Sequence, residues 1–200
     1  LIRKISFGQG QHPMNFCSQC GASLTVRVPP GDNLPRHVCD SCNTVHYLNP
    51  KVVAGCILEW QDRVLLCRRA IEPRYGLWTL PAGFMENGES AVAGAAREAL
   101  EEACAVGEDL SLYGVYSLIH VSQVYLMFRG RLKDGYARPG EESLEVRLYA
   151  EDEIPWDQLA FTVVHETLRQ YFAERRTGQF HHHLGDIIRE GQQFRIHRYY

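Results

Sequence analysis

The sequence predicts an α/β domain preceded by a small metal-held unit, and three observations carry that prediction. Two apolar runs, Lys51–Trp60 (KVVAGCILEW) and Val64–Arg69 (VLLCRR), flank the turn Gln61-Asp62-Arg63 and read as a hairpin of buried strands. Gly83–Ala105 (GFMENGESAVAGAAREALEEACA) reads as a glycine turn followed by a helix of small residues, and 162–175 as a second, amphipathic helix. Upstream, Cys17-x-x-Cys20 and Cys39-x-x-Cys42 form two pairs at metal-ligand spacing.

Composition narrows the class. Two hundred residues suffice for one well-packed domain with an appendage, and 45% apolar residues argue against disorder. A net charge of −3 gives no overall field toward nucleic acid or an anionic membrane. No apolar run approaches the ~20 residues needed to span a bilayer. Residues 1–14 lack the apolar core of a signal peptide and read as a tag remnant or an upstream extension, set aside from the fold. Seven cysteines, four of them in the two pairs, predict a cytoplasmic protein with one metal site and three free thiols rather than a disulfide scaffold. Cys56 and Cys67 lie in strand-like runs, as buried inert thiols do.

Taken in order, residues 15–50 form the first unit. Each Cys-x-x-Cys presents two thiolates from one tight turn, so Cys17, Cys20, Cys39 and Cys42 complete a closed tetrahedral Zn²⁺ site of structural type. Pro29–Asn33 is the loop between the knuckles, and metal binding supplies folding energy that so small a unit lacks. His37 and His46 read as surface or packing residues, because four cysteines already fill the site. Tyr47-Leu48-Asn49-Pro50 marks a junction, and 51–177 form the main domain. In the second strand Arg68 and Arg69 point to opposite faces, so one of them either meets a phosphate or is a strand-end charge in water. Trp78 reads as core, or as a stacking surface for a base.

The helix after Gly83 starts near Ser90, a suitable N-cap. Val92, Ala96, Ala99 and Ala103 make its packing stripe, with Glu98, Glu101 and Glu102 together on the flank. Carboxylates at that spacing repel one another, whereas a hard divalent cation turns them into a site that also holds phosphates. Leu112–Arg131 suggests two strands, Lys133–Glu142 a loop with a Pro139-Gly140 turn, and Glu145–Ala150 another strand. Residues 178–200, with His181-His182-His183, read as a polar, solvated tail.

The helical stretch resembles the Nudix box, matching at Gly83, Glu89, Arg97, Glu98, Glu101 and Glu102 and departing at Cys104, where the family has glycine. A non-glycine residue in the left-handed helix end costs roughly 1–2 kcal/mol, so either the helix runs on toward Gly107 or Cys104 carries the strain. The resemblance extends to the order of zinc ribbon, Tyr-x-Asn-Pro junction and Nudix domain, shared with the NADH pyrophosphatase branch. The stretches at 64–69, 76–83 and 139–145 look closer to FAD and ADP-ribose pyrophosphatases. It implies an α/β/α sandwich with a mixed sheet. It also implies Mg²⁺-dependent hydrolysis, with Mn²⁺ as a substitute, of a nucleoside diphosphate conjugate such as FAD or ADP-ribose, releasing AMP.

By the same resemblance Glu98 and Glu102 are the principal metal ligands and Glu101 a further ligand or the base. The Gly83 carbonyl completes the shell, Arg97 orients Glu89, and Glu145 closes the site from a later strand, with Glu142 as the alternative. Either Glu101 or Glu145 takes the proton. Arg69 and Trp78 are the candidates for substrate contact. The resemblance further implies a homodimer acting on a small nucleotide. NADH and capped RNA are alternative substrates, and an inactive nucleotide- or nucleic-acid-binding sensor is the alternative of another class. The absence of an aromatic-basic cluster in the ribbon loop argues against nucleic acid.

Overall fold

The computed structural model describes residues 14–199, so the opening segment lies, but for Met14, outside the described residues. The chain forms two compact units divided between Pro50 and Lys51. The first is a three-stranded antiparallel sheet of β1 (Leu24–Arg27), β2 (Arg36–Cys39) and β3 (Val45–His46) in that order.

The second unit is built on a nine-stranded sheet. Its elements are β4 (Lys51–Trp60), β5 (Arg63–Arg69), β6 (Trp78–Thr79), β7 (Ala82–Phe84), α1 (Ala91–Ala103), β8 (Gly107–Leu118) and β9 (Gln123–Leu132). They are followed by β10 (Ser143–Tyr149), α2 (Thr162–Arg175), β11 (His183–Glu190) and β12 (Gln193–Tyr199). The order β10-β5-β4-β9-β8-β11-β12 is mixed, with β4–β9 and β8–β11 parallel, while β6 adds to β5 and β7 to β4.

Alternation along the strands makes two cores. Val53 and Ile57 of β4 and Val64 and Leu66 of β5 pack with Val163, Val164, Leu168, Tyr171 and Phe172 of α2. Their neighbours Ala54, Cys56, Leu58, Leu65 and Cys67 pack with Ala95, Ala99 and Ala103 of α1. One helix on each face is the expected α/β/α sandwich, and Cys56 and Cys67 are indeed buried.

Two expectations need correction. The last residues are not a solvated tail: 183–199 form the β11–β12 hairpin, turned at Gly191 and added to the sheet edge through β8. Ile187 enters the α2 core, and Arg198 reaches the 1%-exposed Glu166 of α2 at 2.6 and 3.0 Å. Only Ile187 and Ile196 carry the inward period, so polar composition hid the strands. His181 and His183 are not loose either, since both face the Glu174 carboxylate.

The packing stripe of α1 is also rotated from the expected one. Its buried residues are Gly94, Ala95, Glu98, Ala99, Glu102 and Ala103, whereas Val92 is exposed. Alanine and glycine give the helix little apolar preference of phase, and the thinnest side, Gly94-Ala95, lies against the sheet. Ser90 caps the helix as expected, its Oγ accepting the Ala93 N–H at 3.3 Å.

Candidate active site and metal centre

The N-terminal unit brings Cys17, Cys20, Cys39 and Cys42 together, all four sulfurs lying within 4.8 Å of one another. Two thiolates on a tetrahedral zinc sit about 3.8 Å apart for a Zn–S bond of about 2.3 Å. The Cys17–Cys42 and Cys20–Cys39 Sγ separations are 3.6 and 3.4 Å. The donor set and its spacing fit a structural zinc ion. Cys42 also meets the Thr44 hydroxyl at 3.1 Å, which holds its thiol down at about 6.

In the main unit, β7 lays Gly83 against Ala54 of β4, directly beneath α1. A Cβ at Gly83 would fall inside the Glu98 carboxylate, so only glycine lets that side chain rest on the strand. Glu102 is 6% exposed and accepts the Ala82 N–H at 3.2 Å. Burial, followed by the like charges of Glu98 and Glu142, pushes its carboxyl up to about 8. Burial raises Glu98 as well, against the neighbouring Arg97. Two buried carboxyls side by side, with one backbone donor between them, call for a cation to neutralise them.

Arg97 is the hub of the helix. Its Nε and Nη2 meet Glu89 at 3.1 and 3.0 Å, its Nη1 meets Glu98 and Glu101 at 2.8 Å each, and its Nη2 donates to the Phe84 carbonyl at 3.1 Å. Glu89 in turn accepts the Glu86 N–H at 2.7 Å, which fixes the turn between β7 and α1. Glu101 is the exposed member of the three, held out by Arg97 rather than buried with Glu98 and Glu102.

The two carboxylates beyond the box separate clearly. Val146 and Leu148 of β10 face the α1 core and Tyr149 the α2 core. Alternation therefore puts Glu145 on the face away from the box, where its Oε2 lies 3.8 Å from Arg68 Nη1. Glu142 sits on the loop before β10, and its like charge adds to the upward push on both Glu98 and Glu102. The loop that carries it is clamped to the end of α1: Arg138 N–H donates to the Ala103 carbonyl at 2.9 Å and Gly140 N–H to that of Glu102 at 3.0 Å. The Pro139-Gly140 pair signals a turn in the sequence, but nothing there shows that the turn caps the helix.

Of the paired arginines, Arg69 faces the box and its charge lowers the Glu102 pKa. It is 8% exposed, donates from Nε to the Pro73 carbonyl at 2.9 Å and lies over the Phe161 ring at 5.2 Å. Trp78 is packed edge-on against Tyr149 at 5.1 Å and is 6% exposed, so it serves the core rather than offering a face to a base. Phe161, which no sequence signal marked, is the aromatic ring beside Arg69. Cys104 resolves its alternatives: α1 stops at Ala103, and Cys104 takes the left-handed conformation at φ 44°. The Cys104 and Ala105 N–H groups close the helix on the Leu100 and Ala99 carbonyls.

A mixed sheet between two helices, with a Gly-Glu-Arg-Glu-Glu-Glu turn and helix packed on one of its faces, is the arrangement of a Nudix domain. The chain belongs to the Nudix family: the NUDIX domain profile matches residues 49–174, and the Nudix N-terminal zinc ribbon profile matches 15–48. A NUDIX hydrolase structure from Nitrosomonas europaea is 59% identical, with a TM-score of 0.84 over 87% of this chain and 99% of that one. The ADP-ribose pyrophosphatase of Methanocaldococcus jannaschii is 30% identical over 138 residues, 66% of this chain and 78% of that protein. The NAD-capped RNA hydrolase NudC of Vibrio cholerae is 28% identical over 149 residues, 71% of this chain and 51% of that protein. The chain thus spans about half the length of that relative. Among the described residues, no helix is long and apolar enough to cross a membrane.

Proposed function

We propose that this chain hydrolyses the pyrophosphate bond of a nucleoside diphosphate conjugate, with ADP-ribose or FAD as substrate and AMP as a product. The observation that carries the reading is the buried pair Glu98 and Glu102 on Gly83 and Ala82, faced by Glu142 and Arg69. Glu98, Glu102 and the Gly83 carbonyl would hold Mg²⁺ or Mn²⁺, with Glu142 in place of Glu145 as the carboxylate from beyond the box. The metal, when bound, neutralises pyrophosphate oxygens and lowers the pKa of a coordinated water.

The rest is the work of side chains. Arg97 keeps Glu98 from swinging off the strand and anchors the turn through Glu89. Glu101, exposed and held by Arg97 at the rim of the buried pair, takes the proton of the attacking water. Arg69, held by Pro73 and Phe161, presents positive charge to a phosphate beside the carboxylates. A cytoplasmic homodimer acting on small nucleotides belongs to the same reading, supported by the family resemblance.

The names of the Vibrio relatives favour a second reading, in which the conjugate is an NAD-capped RNA end. Parallel hydrolysis of ADP-ribose, FAD, NADH and NAD-capped RNA in Mg²⁺ discriminates between them. ADP-ribose or FAD should be turned over fastest; preference for the capped RNA would replace the first reading with the second. Under the same conditions Glu142→Gln should lower kcat at least about ten-fold, in line with the 10–100-fold effect of perturbing metal sites. Glu145→Gln should stay within about two-fold of wild type; the reverse ranking would restore Glu145 to the site.

A further inference from the structure

The zinc ribbon holds a residue that its four cysteines leave unexplained. β3 is only two residues long and joins β2 through His37↔His46 and Val38↔Val45. So short a strand is weakly held by its ladder alone. At its end the His46 Nε2 lies 3.3 Å from Cys17 Sγ, within hydrogen-bonding range of sulfur. Cys17 is 3% exposed and accepts one other donor, the Gln19 N–H at 3.4 Å. Four thiolates on one Zn²⁺ leave a net charge of −2 on the cluster, and the buried sulfurs have no water to share it.

We infer that His46 is a positioning residue for the zinc centre: in its neutral form, with the proton on Nε2, it donates that N–H to the zinc-bound Cys17 thiolate. It is not a fifth or replacement ligand. The bond does two things at once. It spreads the negative charge of the buried Cys17 thiolate, and it fastens β3 to the metal at the point where the chain leaves the ribbon through Tyr47. The guanidinium of Arg36, 5.1 Å over the Tyr47 ring, supports the same end of the strand. Outer partners of metal ligands orient them and set their basicity, and removing one commonly costs about 10–100-fold in metal affinity.

Two measurements on the full chain test this. In the zinc-loaded wild type, nitrogen-detected NMR of the His46 ring should show a protonated Nε2 and a bare Nδ1. A proton on Nδ1 instead, or cobalt-substituted protein with the charge-transfer intensity of three thiolates and one imidazole, would overturn the proposal. In the second, zinc transfer to a chromogenic chelator should be about ten-fold faster from His46→Phe, which keeps a ring without a donor. His46→Gln, whose amide restores an N–H, should return to within about three-fold of wild type. Equal rates for Phe and wild type, or no rescue by Gln, would also count against it.

Discussion

Glu102→Gln should abolish turnover and yet stabilise the metal-free protein at pH 8. The activity loss is expected to exceed about a hundred-fold, because even outer partners of metal ligands cost 10–100-fold and Glu102 is placed as a ligand itself. The gain in stability follows from burial. The Glu102 carboxyl is raised from 4.5 to about 8 in the folded chain, desolvation being the main cause. Below pH 4.5 folded and unfolded chains both carry the proton, and nothing is lost. Between 4.5 and about 8 the unfolded chain has released a proton that the folded chain keeps, so stability falls steadily as pH rises. Above about 8 the buried carboxylate is charged and the penalty is complete. At about 1.4 kcal/mol per pKa unit, and after local relaxation, this amounts to about 2–4 kcal/mol.

Glutamine removes the charge while its oxygen still accepts the Ala82 N–H. Thermal melts without added divalent cation should therefore show a pH-dependent decline in the wild type and a flatter profile in Glu102→Gln. Mg²⁺ should restore the wild type at pH 8 and leave the variant unmoved. A site that is costly without its ion and neutral with it is the usual trade of stability for function. Parallel pH profiles for the two proteins would show that burial does not strain this carboxyl.

Gly140→Ala comes next in expected effect. A Cβ there would collide with the Glu101 carbonyl oxygen and lie 2.8 and 3.1 Å from the carbonyl carbons of Glu101 and Glu102. Every clashing atom is backbone at the end of α1, so no flexible side chain can give way. The loop must lift, breaking the bonds from Arg138 and Gly140 to the Ala103 and Glu102 carbonyls and carrying Glu142 away from Glu98 and Glu102. Overpacking of this kind costs about 1–3 kcal/mol. Misplacement of a catalytic group by about 1 Å costs up to about a hundred-fold in rate. The variant should melt several degrees lower and lose at least about ten-fold in kcat. Unchanged kcat with unchanged Tm would mean that the loop does not position Glu142.

The parts of the structure that follow from local chemistry were legible in the sequence. The strand Lys51–Trp60 and the helix 162–175 fall on the residues where apolar periodicity put them. The four cysteines converge because spacing alone determines which turns can share an ion. The site is legible to the extent that it lies in one segment: Gly83, Glu98, Glu102 and Arg97 are fixed relative to one another by a single turn and helix. What crosses the sheet was not. Glu145 fits the resemblance by position, but the pleat of β10 turns it toward Arg68. The loop that carries Glu142 is clamped to the end of α1 through Arg138 and Gly140, a contact without sequence period. The β11–β12 hairpin escaped because two isoleucines and the ion pair of Arg198 with the buried Glu166 hold it. A polar strand at a sheet edge has the composition of a tail.

The central claim is that the buried carboxylates of one helix form a divalent-cation site that cleaves pyrophosphate. It is tested most directly by AMP release from ADP-ribose in wild type and Glu102→Gln, each with and without Mg²⁺, at equal zinc content. The account predicts AMP and ribose 5-phosphate from the wild type with Mg²⁺ alone, and no more than background in the other three. AMP released without any divalent cation, or at an undiminished rate by Glu102→Gln, would contradict it.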